Sequence, residues 1–233
     1  MANVGCFIQR SVCALRIARL GADCFPIAGT GNGAVLSAIS TITATPDVTE
    51  GTRFNPTDGC GQVVFSAADP NITTRYTFEA ELYTSDYEAL EIMTSCSLIL
   101  GAADAGPGNA WAGKAIGIGR PGATTTPSDG FGLEVWAKNA ANTGSCGPAS
   151  TNPPYVRHVF PKIVAELGAR TFQNEVAVVT LSGYAESNSA WGEGPWGDYP
   201  GADPIGAEPW VEFFDTALPE VECGAIEVPE YAS

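Results

Sequence analysis

Thr73-Thr-Arg-Tyr-Thr-Phe-Glu-Ala-Glu-Leu-Tyr83 carries the clearest structural signal in this 233-residue chain. Tyr76, Phe78, Ala80 and Leu82 fall on one face of an extended ladder, and Arg75, Thr77, Glu79 and Glu81 on the other. That period of two marks a half-buried β-strand. Directly after it the period changes. Ser85-Asp86-Tyr87-Glu88 has the form of a capping box, in which the serine hydroxyl and the glutamate carboxylate satisfy opposite orphan amides. Leu90 and Met93, extended by Cys96 and Ser97, then line one side of a short helix.

Working outward, strand signals dominate. Residues 34–44 (AVLSAISTITA) are β-branched and small, and they end in the turn signal Thr45-Pro46-Asp47. A long polar connection, residues 47–61, leads to Gln62-Val63-Val64-Phe65, a second strand-like run. Its Asn-Pro and Asp-Gly steps read as an extended hairpin loop, and its length favours a working surface. Lys114 to Gly119, Gly132 to Asn139, Tyr155 to Glu166 and Phe172 to Tyr184 are further strands, with Leu167-Gly168 as a turn between the last two. Beyond Glu186 the chain is dense in Gly, Pro and Trp (WGEGPWGDYPGADPIGAEPW) and reads as an irregular arm that lies against something. The division expected is a β-domain over 1–186 and an acidic C-terminal arm over 187–233. The fold class expected from the residues is mainly β, with one inserted α-helix and a long hairpin loop.

Composition narrows the function. The formal charge is −15, from 11 basic and 26 acidic residues, and an acidic surface argues against gripping nucleic acid or anionic lipid. After Arg170 twelve acids follow with no Lys or Arg, either a solvated face or an end that meets a repelled polyanion or a basic partner surface. The cysteines at 6, 13, 24, 60, 96, 146 and 223 show no C-x-x-C, and a single histidine, His158, leaves zinc only distant thiolates. Arg10, Arg16 and Arg19 interrupt the N-terminal apolar residues, so no signal peptide is read, and no apolar run reaches transmembrane length. A soluble protein made in the cytosol, without cofactor or metal, is expected.

Several motifs fail on chemistry. Gly108 to Lys114 spells G-x-x-x-x-G-K, but Ala115 stands where a Mg²⁺-binding hydroxyl is needed. Gly117-Ile-Gly119-Arg-Pro-Gly122 spells G-x-G-x-x-G, but Pro121 blocks the required helix. His158 has no nucleophile or acid partner in a known arrangement. Glu79 and Glu81 resemble a glycosidase pair less than an exposed strand face. Trp191, Trp196 and Trp210 either form a sugar-stacking platform or pin the arm to its domain or a neighbour's. Asn71-Ile-Thr73 is a sequon without a secretory signal.

The ordered set of segments resembles the major tail tube proteins of long-tailed phages of actinobacteria. The segments are Leu15-Arg16-Ile17-Ala18-Arg19-Leu20 with the following Cys24-Phe25-Pro26 turn, Val48-Thr49-Glu50-Gly51-Thr52-Arg53-Phe54, Ala68-Asp69-Pro70, and the strand and helix around residue 85. Phe160-Pro161-Lys162, Phe172-Gln173-Asn174, Gly183-Tyr184-Ala185, Trp191-Gly192-x-Gly194-Pro195, Phe213-Phe214-Asp215-Thr216 and Cys223-Gly224-Ala225 follow in order. The resemblance spans residues 15–225 and implies a non-enzymatic virion protein whose fold is a β-sandwich or partly closed barrel with one flanking α-helix. It would form stacked hexameric rings, a tube that conducts double-stranded DNA without tight binding, with tail terminator, tape-measure and baseplate or distal tail proteins as partners. It would be assembled in the host cytoplasm. Thr49, Glu50, Gly51, Thr52, Arg53, Phe54 and Asn55 would then make the inter-ring contact, Glu79 and Glu81 would be lumen acids if their strand lines the channel, and Trp191, Trp196 and Trp210 would pack the arm. The alternative from another class is a carbohydrate-binding β-module using those three tryptophans.

Overall fold

The computed structural model describes residues 9–37, 39–57, 60–83, 86–94, 96–102, 110–120, 129–140, 153–168, 178–201, 204–205, 208–219 and 224–230. Thirteen strands and one helix lie among them: β1 (Gln9–Arg19), β2 (Gly29–Leu36), β3 (Ile39–Thr49), β4 (Arg53–Phe54), β5 (Ala67–Ala68), β6 (Ile72–Leu82), α1 (Tyr87–Met93), β7 (Ser97–Leu100), β8 (Ala115–Gly119), β9 (Phe131–Asn139), β10 (Tyr155–Leu167), β11 (Val179–Glu186), β12 (Val211–Asp215) and β13 (Gly224–Val228). Nine strands form one antiparallel sheet in the order β13-β2-β1-β9-β10-β11-β6-β3, with β12 also pairing β10. The fold is mainly β with one short helix, as the alternation and composition imply.

The sheet is rolled, and chain connectivity requires it. β2 and β3 stand six strand spacings apart in the sheet order, about 29 Å if flat at ~4.8 Å each. Only two residues separate Leu36 from Ile39, a reach of about 11 Å over three Cα steps of ~3.8 Å. The two ends of the sheet must therefore curl toward each other. The concave side holds the main core. Leu15, Ile17, Leu36, Phe78, Leu82, Phe131, Leu133, Phe160, Ile163 and Leu181 meet there, joined by Leu90, Ile92 and Met93 of α1. In β6, Phe78, Ala80 and Leu82 are buried, Tyr76 is partly so, and Thr77, Glu79 and Glu81 are exposed. The alternation of the decisive stretch thus fixes which side of the sheet is inside.

Local readings shift in instructive ways. The N-cap of α1 is Asp86, not Ser85: its carboxylate accepts from the Glu88 and Ala89 amides, the usual N-cap geometry. Glu88 does not close a capping box; its Oε2 accepts from the Ala225 amide at 3.1 Å. Ser85 itself lies outside the described residues. The helix ends at Met93, so Ser97 opens β7 instead of extending it. Residues 34–44 are not one strand: the chain breaks between Leu36 and Ile39 and crosses to the opposite end of the sheet. Thr45-Pro46-Asp47 is no turn, because β3 runs through it with Pro46 opposite Tyr76. An edge strand tolerates a proline whose missing N–H faces outward. Gln62 to Phe65 forms no strand beyond a Thr57–Val63 bridge. The ladder of β10 with β11 ends at Leu167 opposite Leu181, so the connection is longer than a two-residue turn; Phe172 to Ala177 lie outside the described residues.

β10 has a register shift between Phe160 and Ile163 in its ladder with β9. Such a bulge changes which positions face inward, which lets Phe160 and Ile163 both enter the main core. Pro161 sits within it. Among the described residues after Glu186 no strand occurs before Val211, but the arm expected to be irregular to its end then supplies two strands, β12 on β10 and β13 on β2. Residues after 186 are therefore interwoven with the main sheet.

Candidate functional site

An exposed ribbon grows out of the β3–β6 ladder. Val48 pairs with Thr73 and Thr49 with Ile72. The same register resumes beyond a short break, with Arg53 opposite Ala68 and Phe54 opposite Ala67. Across the break the Asp69 amide donates to the Thr52 carbonyl (3.0 Å), and Asn71 Oδ1 accepts from the Gly51 amide (3.0 Å). Gly51 has no substitute here, since a Cβ would collide with the Asp69 carbonyl across the ribbon. Further out, Ser66 Oγ donates to Asn55 Oδ1 (2.7 Å) and the Val64 amide donates to the Pro56 carbonyl (2.8 Å). The polar connection expected from the sequence is thus a two-limbed arm, from Thr49 and Ile72 to Thr57 and Val63. Eight residue steps at ~3.3 Å give it a reach of about 25 Å.

Val48, Phe54, Val63, Val64, Phe65 and Ile72 are all exposed, with Val64 at 65%. Val63, Val64 and Phe65 follow one another at the arm's outer end, each more than half exposed. An exposed apolar cluster on a hydrogen-bonded scaffold marks a binding surface. Of the residues expected at an inter-ring contact, all seven, Thr49 to Asn55, lie on the first limb of this arm. Sequence reasoning placed the working segment there but missed the apolar Val63-Val64-Phe65 tip, which it read as a strand.

Glu79 and Glu81 lie on the exposed face of β6, between β3 and β11. Ser40 Oγ donates to Glu81 Oε2 at 3.4 Å. Nearer the arm, Arg75 pairs with Asp47 at 3.0 Å on the surface. β3 and β13 end the sheet order, so each has a partner strand on one side only among the described residues.

The arm tryptophans are not a platform. Trp191 is fully buried with Ala18, Leu20, Val159, Ile205 and Val228 on the convex side of the sheet. It occupies a slot that exists because residue 132 is glycine; a Cβ there would strike its ring. Trp196 stacks on the Arg16 guanidinium, 3.9 Å from its carbon to the ring centre, a cation–π contact. Trp210 stacks on His158 and Phe160 and meets Tyr76 edge-on. All three rings pack against their own chain. Asn188 fastens the start of this strap, donating to the Cys24 and Pro161 carbonyls. Cys24 sits in the expected tight turn, with φ of 66° and its amide on the Gly21 carbonyl.

Beneath the strap lies a charge cluster that no motif announces. Arg16 and Arg157 both bind Glu134, the first at 2.5 Å. Asp198 from the strap takes both guanidinium groups, at 2.7 and 2.8 Å. Asp215 stands 3.6 Å from Arg157 and accepts from Trp136 Nε1 at 2.9 Å. Burial alone lowers the Arg157 pKa, but the fields of Glu134 and Asp198 and the hydrogen bonds to them carry it above its ordinary value. Burial likewise raises Asp198, and the two arginines outweigh it, holding the carboxyl below the ordinary range. The cluster ties residues 187–201 to β1, β9 and β10. It fastens the strap to the sheet.

His158 is neutral. Burial lowers its pKa to about 4, and its Nδ1 accepts from Trp210 Nε1 at 3.2 Å, which a protonated nitrogen cannot do. Glu212 stands 3.4 Å away, but burial raises its own pKa, against an opposing hydrogen bond from Gln9. Both groups shift toward their neutral forms, so the contact is not an ion pair at neutral pH. A cavity of about 210 Å³ adjoins them, lined by Val12, Ile42, Val135, Phe160 and Trp210 among others.

Enzymatic motifs gain nothing from the geometry. Lys114 leads into β8 and not into a helix, so no helix N-terminus meets a phosphate there. Among the described residues, no group of three or more His, Cys, Asp or Glu side chains is placed to hold a metal ion, and no helix is long and apolar enough to cross a membrane. Cys13 and Cys24 are half-buried free thiols and Cys96 is a buried one; Cys6, Cys146 and Cys223 lie outside the described residues. No protein-family model matches the chain, and no curated protein is detectably similar to it in sequence.

Proposed function

We propose that this protein is a structural virion component of the tail tube type, which assembles with copies of itself into stacked hexameric rings. The observation that carries the reading is the arm over residues 48–72. Its two limbs are joined by backbone pairing, and it leaves Phe54, Val63, Val64, Phe65 and Ile72 exposed for a partner to cover. A surface of this kind is an aggregation hazard unless assembly covers it. The edges of β3 and β13, each paired on one side only among the described residues, would meet edge to edge between neighbouring subunits around a ring.

The function on this reading is mechanical. Rings close by cyclic contacts while stacking stays open-ended, so a tube grows. Double-stranded DNA passes through, and Glu79 and Glu81, if their face lines the lumen, repel phosphate so that the genome does not adhere. The polymer's ends and length are set by partner proteins: a tail terminator, a tape-measure protein and a baseplate or distal tail protein. The work is done in the virion after assembly in the host cytoplasm. A carbohydrate-binding module finds less support, because Trp191 is inaccessible and Trp196 and Trp210 are engaged with Arg16, His158 and Phe160.

Sedimentation velocity over a range of concentrations tests the reading. Wild-type protein is expected to form fast-sedimenting species as concentration rises, and a variant with Val63, Val64 and Phe65 replaced by serine to remain monomeric with an unchanged melting temperature. Equal sedimentation of the two would remove the arm from assembly.

A further inference from the structure

The cavity of about 210 Å³ beside His158 lies at the margin of the main core, where Val12, Ile42, Ala44 and Trp210 pack against the buried cluster. Its walls come from β1, β3, β9 and β10 and from Trp210. Two of them are flat. Phe160 and Trp210 stack nearly parallel, 8° apart with ring centres at 5.9 Å, and Tyr76 meets Trp210 edge-on. Inner ends of rolled sheets are a usual place for small-molecule sites.

His158 is the polar group inside this apolar box. It is 7% exposed, and its Nδ1 is taken by the Trp210 indole N–H, so the neutral ring carries its proton on Nε2. Among the described residues no group accepts from that nitrogen. A buried donor without an acceptor is costly. Water answers it poorly, because a buried water needs about two to four polar partners and the remaining polar wall, Gln9, is already hydrogen-bonded to Glu212.

Size and charge define what does fit. An apolar cavity of about 150 Å³ accepts a benzene ring, so this one has room for a ring and a short substituent. Parallel aromatic walls favour a flat aromatic guest. An ionised guest is disfavoured, since the same burial that lowers the pKa of His158 and raises that of Glu212 penalises any charge left unpaired there. We infer that the cavity is a binding site for a neutral, single-ring aromatic compound with one carbonyl oxygen, the ring lying against Phe160 and Trp210 and the oxygen accepting from His158 Nε2. The site is separate from the arm and stands whether or not the chain assembles.

Titration of the full chain, followed by calorimetry and ligand-observed NMR, tests this with three probes of similar size: acetophenone, ethylbenzene and benzoate. Acetophenone is expected to saturate one site with a Kd on the order of 1 mM or tighter, ordinary for so small a ligand. Ethylbenzene, which lacks the oxygen, is expected to bind about three- to tenfold more weakly, the worth of one hydrogen bond. Benzoate at pH 7 is expected not to bind. Ala44→Leu extends a side chain into the cavity from an edge strand, and is expected to abolish acetophenone binding with the melting temperature unchanged or raised. His158→Phe keeps a ring and removes the donor, and is expected to bring acetophenone down to the affinity of ethylbenzene. Wild-type protein that saturates with neither neutral probe would overturn the proposal, as would acetophenone binding untouched by a folded Ala44→Leu or His158→Phe variant. Equal affinities for acetophenone and ethylbenzene would overturn it too.

Discussion

Glu134 sits between two guanidinium groups in a place where water does not reach. Removing one partner of a buried ion cluster leaves uncompensated charge, at a typical cost of about 3–5 kcal/mol. Glu134→Gln is therefore expected to lower stability by roughly that amount, read by urea unfolding at pH 7. His158 gives a pH dependence of determined sign. Its folded pKa of about 4 lies below the ordinary 6.5, so the unfolded chain binds the extra proton between those values and stability falls as pH drops from 6.5 to 4. The full loss is about 3 kcal/mol at 1.36 kcal/mol per pKa unit. Asp198, held below its ordinary 3.8, adds a further loss only under more acidic conditions. Glu212, raised above its ordinary 4.5, opposes the histidine. Thermal melts of wild type and His158→Gln from pH 4 to 7 check this, and the histidine variant is expected to show the flatter profile above pH 5.

At the scale of elements, Gly51 holds the arm's limbs together. Gly51→Val forces them apart at the Asp69 carbonyl and is expected to abolish assembly while leaving the core's melting temperature within a few degrees, measured by light scattering beside circular dichroism. The elements legible in the sequence were those whose signal is local. The alternation of residues 73–82 gave β6 and its inner face, and the change of period gave α1, with its cap off by one because Asp86 competes with Ser85 for the same amides. The break between Leu36 and Ile39 was not legible, since both sides have strand composition and only tertiary closure separates them. The arm was read as a polar loop because its pairing continues a ladder set elsewhere and because Val63 to Phe65 look like a buried strand. The Arg16–Glu134 contact joins residues 118 apart, a distance no spacing rule bridges.

For the whole molecule, the acid-rich last quarter has a structural answer in part. Asp198 and Asp215 offset Arg16 and Arg157, and Glu212 lies half-sheltered beside His158. The rolled sheet extends into the apolar arm where β3 ends and β6 begins. Self-assembly into a hollow tube is the central claim, and negative-stain electron microscopy of the concentrated protein tests it most directly. The account predicts rings and stacked tubes with a stain-filled central channel. Uniform single particles of monomer size under all concentrations and salts would contradict it.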